Sequence, residues 1–307
     1  MQEPCLWETF LTLGREAYER GDLEQAVEAF GAAANTAEQF GQQDGRLAMS
    51  LNNLATCLQA SGRPEEAVPL FRRTLEITTR GLGTEHQEVS LARDNLAASL
   101  EDCGALQARQ NRLSEAERAL REALETREHG GPSPPTMNLR LQISQLCLDQ
   151  GDPEGSRREA QRALDEARTI YPEDHPAVAQ CLSSLGLLHF LGRDYVQALV
   201  FFRSAHTIHR AWATELPVET LLSGLYNLGA ALQGSGDFAS AEGCYREGLA
   251  IAEQQRVDRH PVVLRIVTNY SLLAREDGRS SLAAELEDRA RQIAGTESEG
   301  GCARPRE

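Results

Sequence analysis

Lysine is absent from all 307 residues, so the 31 basic side chains are all arginine. No side-chain amine is therefore available for acetylation or ubiquitin attachment. Aromatic residues make up only 5% of the chain, and the 41% apolar fraction is mostly Ala and Leu. That composition suits helices around a thin, extended core better than one large globular centre. Positive charge is scarce too. A net charge of −15 and a pI near 5 oppose broad nucleic-acid or anionic-membrane binding, because both need a positive field. No run of 18 apolar residues occurs, and the first residues, MQEPCLWETF, lack the basic and apolar regions of a signal peptide. The seven cysteines are odd in number and scattered, which predicts free thiols in a reducing, cytoplasmic setting rather than a disulfide framework.

What the chain does have is repetition. NNLATCLQASGRPEEAVPLFRRTLEI at 52–77 returns as YNLGAALQGSGDFASAEGCYREGLAI at 226–251. Pairs of small residues twelve apart mark each copy: Gly14 and Ala26, Ala55 and Ala67, Ser144 and Ser156, Gly186 and Ala198, Gly229 and Ala241, Ser271 and Ala283. A seventh pair, Ala97 and Ala116, is nineteen apart. The first members recur at steps of 41, 42, 47, 42, 43 and 42 residues. A fixed period of this size marks a solenoid of stacked units.

Each unit reads as two helices. Leu51, Leu54, Ala55 and Leu58 have helical apolar spacing, as do Ala67, Leu70, Phe71, Leu75 and Ile77. Gly21, Gly62, Gly151, Gly236 and Gly278 stand between the two helices, with Gly192 one place early. Glycine there takes the left-handed conformation that ends a helix. Pro64 falls at a first helical position, where its missing N–H costs nothing. The small residues let the two helices cross closely beside Phe30, Phe71, Phe202 and Tyr245. The seven extra residues of unit three fall around GALQARQ, 104–110, and predict two added helical turns or a longer loop. Between units, residues 129–136 (HGGPSPPT) predict a long loop or soft joint. The boundaries expected are an N-terminal tail at 1–7, repeats over 8–294 and a disordered tail at 295–307.

This sequence resembles a tetratricopeptide repeat array of the longer kind found in kinesin light chains. The likeness rests on the 52–77 stretch and on joining elements with His175–Pro176 and His260–Pro261. It departs at His86, which precedes Gln87, and at 129–136. No coiled-coil heptads precede the repeats. The resemblance implies an all-α right-handed superhelix of about seven repeats, its concave wall made by the first helix of each. It implies a non-enzymatic scaffold or adaptor that holds extended or helical segments of partner proteins, without a cofactor.

In that family the residue two before the first small residue often bonds the guest backbone. Here that column reads Thr12, Asn53, Asn95, Gln142, Ser184, Asn227 and Asn269. An amide offers donors and an acceptor, so it can hold a backbone without reading its sequence. Specificity would fall to neighbours: acidic Asp94, Glu101, Asp102 and Asp149, then apolar Leu141, Leu148, Leu187, Phe190 and Tyr226. Such a wall favours a basic and apolar segment. The alternatives are end-to-end self-assembly and a regulatory array that bends at 129–136. The polar last helix, SSLAAELEDRARQIA, reads as a capping helix and opposes the first.

His206 and His209 could reach one metal, but they fall at core positions and no further ligand is placed by sequence. His86, His175 and His260 recur at equivalent joints, so repetition accounts for them, and for Cys181 near His175, better than catalysis. Cys57, Cys103, Cys147 and Cys244 read as small core residues, with Cys5 and Cys302 the reactive ones. Arg15 and Arg275 are the candidates for a carboxylate clamp, and they lie at opposite ends.

Overall fold

The computed structural model describes residues 5–300, and these form helices with no strand among them. They divide into two compact units, one up to Glu159 and one from Ala160.

The first unit holds α1 (Leu6–Glu19), α2 (Leu23–Ala37), α3 (Gly45–Ala60), α4 (Pro64–Leu82), α5 (Gln87–Arg109), α6 (Leu113–Glu128) and α7 (Pro134–Asp149). A short 3-10 turn, Glu38–Phe40, follows α2. Helix α8 (Pro153–Ile170) runs across the division. The second unit continues with α9 (Pro176–Leu191), α10 (Tyr195–Ala211), α11 (Val218–Gly234), α12 (Phe238–Gln255), α13 (Pro261–Glu276) and α14 (Ser280–Gly300). From α1 to α7 in the first unit and from α9 to α14 in the second, each helix packs on the next, as a stack of helix pairs requires.

Local chemistry sets the helix ends. The five predicted turn glycines all have positive φ, from +72° at Gly62 to +87° at Gly236. Two repeats lack a glycine there: Asn111 and Arg193 take the left-handed conformation instead, each at φ +60°. Second helices start on aspartate caps: Asp22, Asp194 and Asp237 accept from the amides of Gln25, Gln197 and Ser240. Each such cap is worth about 1 kcal/mol. The joint histidines turn out to be caps as well. Nδ1 of His86, His175 and His260 accepts the amide hydrogen of Glu88, Ala177 and Val262 at 3.1–3.2 Å.

The paired small residues mark the crossings. A Cβ on Gly14, Gly186 or Gly229 would come within 2.6–2.7 Å of the Phe30, Phe202 or Tyr245 ring. In repeat four the Ser144 hydroxyl donates to the Ser156 carbonyl at 2.9 Å, so the polar pair is satisfied while buried. Repeat three needs a correction. The residue facing Ala116 is Gly104, twelve before it, and not Ala97; a Cβ added there would meet Leu120 and the Ala116 carbonyl. The extra residues are continuous helix, since α5 has 23 residues where α3 has 16. Toward α3, however, α5 keeps the usual register. Gln59 donates to Asp102 and Asn95 to Asn52, each 43 residues apart, the same offset as Gln233 to Glu276 in the second unit. The added turns therefore serve α6 without disturbing the contact with α3.

Three boundaries differ from the sequence expectation. Helix α1 begins at Leu6, inside the expected 1–7 tail, and residues 1–4 lie outside the described residues. Helix α14 continues to Gly300, past the expected end at 294; 301–307 lie outside the described residues. The 129–136 joint is no long loop. Five residues separate α6 from α7, as five separate α8 from α9. Ser133 caps α7 by accepting from the Thr136 amide, and Pro134 starts it.

Candidate functional site

In the first unit the predicted amide column divides by what each side chain touches. Asn53 is half-buried and makes no side-chain hydrogen bond among the described residues. Thr12 bonds back to the Glu8 carbonyl of its own helix at 2.9 Å. Asn95 is not free: its Nδ2 donates to Asn52 Oδ1 at 2.9 Å, one rung of the α3–α5 ladder. Asp102, two before Gly104, is the true counterpart of Asn53 in repeat three, and it forms the second rung with Gln59. Gln142 is exposed on α7.

The acidic wall is partly neutralised. Arg127 on α6 reaches Glu101 at 2.9 Å and Asp94 at 3.3 Å, so these carboxylates tie α5 to α6. Asp149 accepts from Gln145 at 2.7 Å on its own helix. Leu141 and Leu148 are half-buried on α7.

In the second unit Asn227 repeats the Asn53 situation, half-buried with no side-chain hydrogen bond among the described residues. Asn269 is half-buried, and the buried Tyr245 hydroxyl donates to Gln233 Oε1 at 3.0 Å. Ser184 bonds back to the Gln180 carbonyl at 3.2 Å. Tyr226 carries the Arg265 guanidinium 4.1 Å over its ring, a cation–π contact between α11 and α13. Phe190 meets Tyr195 edge-on at 5.7 Å, and with Leu187 it packs against the core.

The titratable groups considered for chemistry are packed. His209 is buried, and the space it fills is left by Gly224, whose added Cβ would sit 2.7 Å from His209 Nδ1. Burial lowers the pKa of both His206 and His209. Burial pushes the Cys57 thiol up to about 11 and Cys181 up to about 12. Among the described residues no group of three or more His, Cys, Asp or Glu could hold a metal ion. No helix of the described residues is long and apolar enough to cross a membrane.

One feature escaped the sequence reading altogether. Asn52, Met49, Leu82 and Leu91 meet around a pocket beside Asn95.

Comparison with known proteins agrees with this architecture. The tetratricopeptide repeat family model matches residues 8–80, 46–129, 135–211 and 220–295, and the chain belongs to that family. No curated protein matches it by sequence. Among solved structures it resembles BtubC (BKLC) from P. vanneervenii, at 21% identity and TM-score 0.55, over 76% of this chain and 92% of that one. Aspartyl phosphate phosphatase F from Bacillus subtilis is similar at 14% identity and TM-score 0.62, over 99% and 78%. A Rap protein complexed with Competence and Sporulation Factor is similar at 16% identity and TM-score 0.54, over 94% and 77%. At these identities the likeness is one of fold.

Proposed function

We propose that the chain is a non-enzymatic scaffold that holds segments of partner proteins on the face made by the first helices of its repeats. The observation that carries this reading is the pair Asn53 and Asn227. They occupy equivalent positions, one in each unit, and both are half-buried with amide groups left unbonded by the described residues. An amide in that state gains by meeting a peptide backbone, which presents the matching donors and acceptors. The Rap protein that shares the fold is complexed with a factor of its own, and the reading for this chain takes the same general form. The six described cysteines are all free thiols, which suits a reducing, cytoplasmic compartment.

The test is quantitative affinity capture from a cell lysate, with the wild-type chain beside Asn53→Ala combined with Asn227→Ala. Circular dichroism checks that the variant keeps its helices. Partners held by the wild type should be depleted from the folded variant. Equal recovery of the same partners would remove the basis of the reading.

A further inference from the structure

The pocket between α3, α4 and the first half of α5 has a volume of about 390 Å³. Buried Ala48, Ile77 and Ala92 line it, and three large apolar side chains stand exposed at its rim: Met49 at 52%, Leu82 at 44% and Leu91 at 61%. Apolar groups gathered at one exposed place mark a docking site more often than scattered ones do. The volume lies in the range that admits a bulky side chain or a small ligand.

Two further features select the occupant. Asn95 gives one amide hydrogen to Asn52. That leaves both amide hydrogens of Asn52, and the carbonyl oxygen and second hydrogen of Asn95, unbonded among the described residues. This mixture of donors and acceptors matches a peptide backbone. Glu88 is the single charged residue among those lining the pocket, and the chain carries −15 overall. Glu88 and the acidic chain around it favour a cation beside the apolar group.

We propose that this pocket takes a bulky apolar side chain of a partner segment, with an Arg or Lys next to it against Glu88 and its backbone on the Asn52–Asn95 pair. The proposal rests on the scaffold reading above and names one subsite for it.

Gly81 supplies the test. It lines the pocket within α4, its φ is not positive, and a Cβ there would meet nothing within 4 Å. Gly81→Trp therefore fills the pocket without forcing the helix. The chain has three methionines, of which Met49 is at the rim and Met137 is buried. Full-length protein labelled with ¹³C at methionine methyls is titrated with the blocked peptide acetyl-Ser-Arg-Phe-Leu-Arg-Ser-amide. The Met49 signal should shift saturably while Met137 stays still. Gly81→Trp should weaken this binding about ten-fold or more, the worth of one buried apolar side chain. Replacing both peptide arginines by glutamate should weaken it as well.

No Met49 response to the arginine peptide, unchanged affinity in Gly81→Trp, or equal binding of the glutamate peptide would each overturn the proposal. So would a Met49 shift that follows protein concentration without peptide, since the occupant would then be a second copy. The two readings separate in the lysate experiment. If Gly81→Trp keeps all partners and the Asn53→Ala, Asn227→Ala variant loses them, the pocket falls and the scaffold stands. If Met49 responds and Gly81→Trp abolishes the response, while the double variant keeps its partners, the pocket stands and the amide face falls.

Discussion

Gly104 lies so close to Leu120 that an added Cβ would come within 2.8 Å of Leu120 Cδ2 and 3.3 Å of the Ala116 carbonyl oxygen. This is where α5 crosses α6, and it fixes where the two extra turns go. A Cβ-branched residue there must push α6 away. Gly104→Val is expected to destabilise the first unit by about 1–3 kcal/mol, the usual cost of overpacking. Gly81→Ala should do the opposite, because it replaces a helical glycine that meets open space, and should gain about 0.5–1 kcal/mol. Urea titration followed by circular dichroism distinguishes the two signs.

His175 caps α9 through Nδ1, with Tyr171 stacked on its ring at 4.1 Å and Trp212 edge-on at 5.7 Å. His175→Ala should cost about 1 kcal/mol by loss of the cap. His175→Asn should retain most of that stability, since Asn is itself a strong cap. If both variants lose equally, ring packing rather than capping is the role of His175.

Thiol reactivity should follow burial. Cys5 is exposed, while Cys57, Cys103, Cys147 and Cys181 are buried. Desolvation disfavours the thiolate, the reactive form, and raises Cys57 to about 11 and Cys181 to about 12. Iodoacetamide labelling of the native protein, read by peptide mass spectrometry, should modify Cys5 first among the described cysteines. The four buried thiols should label only on addition of denaturant.

Acid should weaken the second unit through His209. Its folded pKa lies below the ordinary 6.5 because it is buried, with His206 adding repulsion when charged. The unfolded chain therefore takes up a proton first as pH falls. The stability is complete above pH 6.5 and is lost progressively as pH drops from there toward the folded pKa. His206 acts in the same direction, by burial against the opposing pull of Glu247. The melting temperature of the wild type should fall between about pH 7.5 and about pH 5.5 by more than that of His209→Leu. Equal falls would assign the acid sensitivity to other groups.

The paired helices, the turn glycines and the period of the repeat follow from the sequence alone, because each rests on local chemistry. Small residues at twelve-residue spacing, Gly62 at a left-handed turn and Pro64 at a helix start act within a few turns of their own position. The amide column was legible for the same reason, since its position is counted along one helix. What each amide meets was not. Asn53 and Asn227 make no side-chain hydrogen bond among the described residues, whereas Asn95 is taken by Asn52 through a contact between helices. The acidic wall shrank likewise, because Arg127 comes from the neighbouring helix to meet Asp94 and Glu101. The pocket beside Leu91 belongs wholly to tertiary structure. Seven extra residues read along the chain are two turns of helix; only packing decides that they align with α6 while Asn95 and Asp102 keep their register with α3. Local periodicity specifies elements, and the space between elements is specified only when they meet.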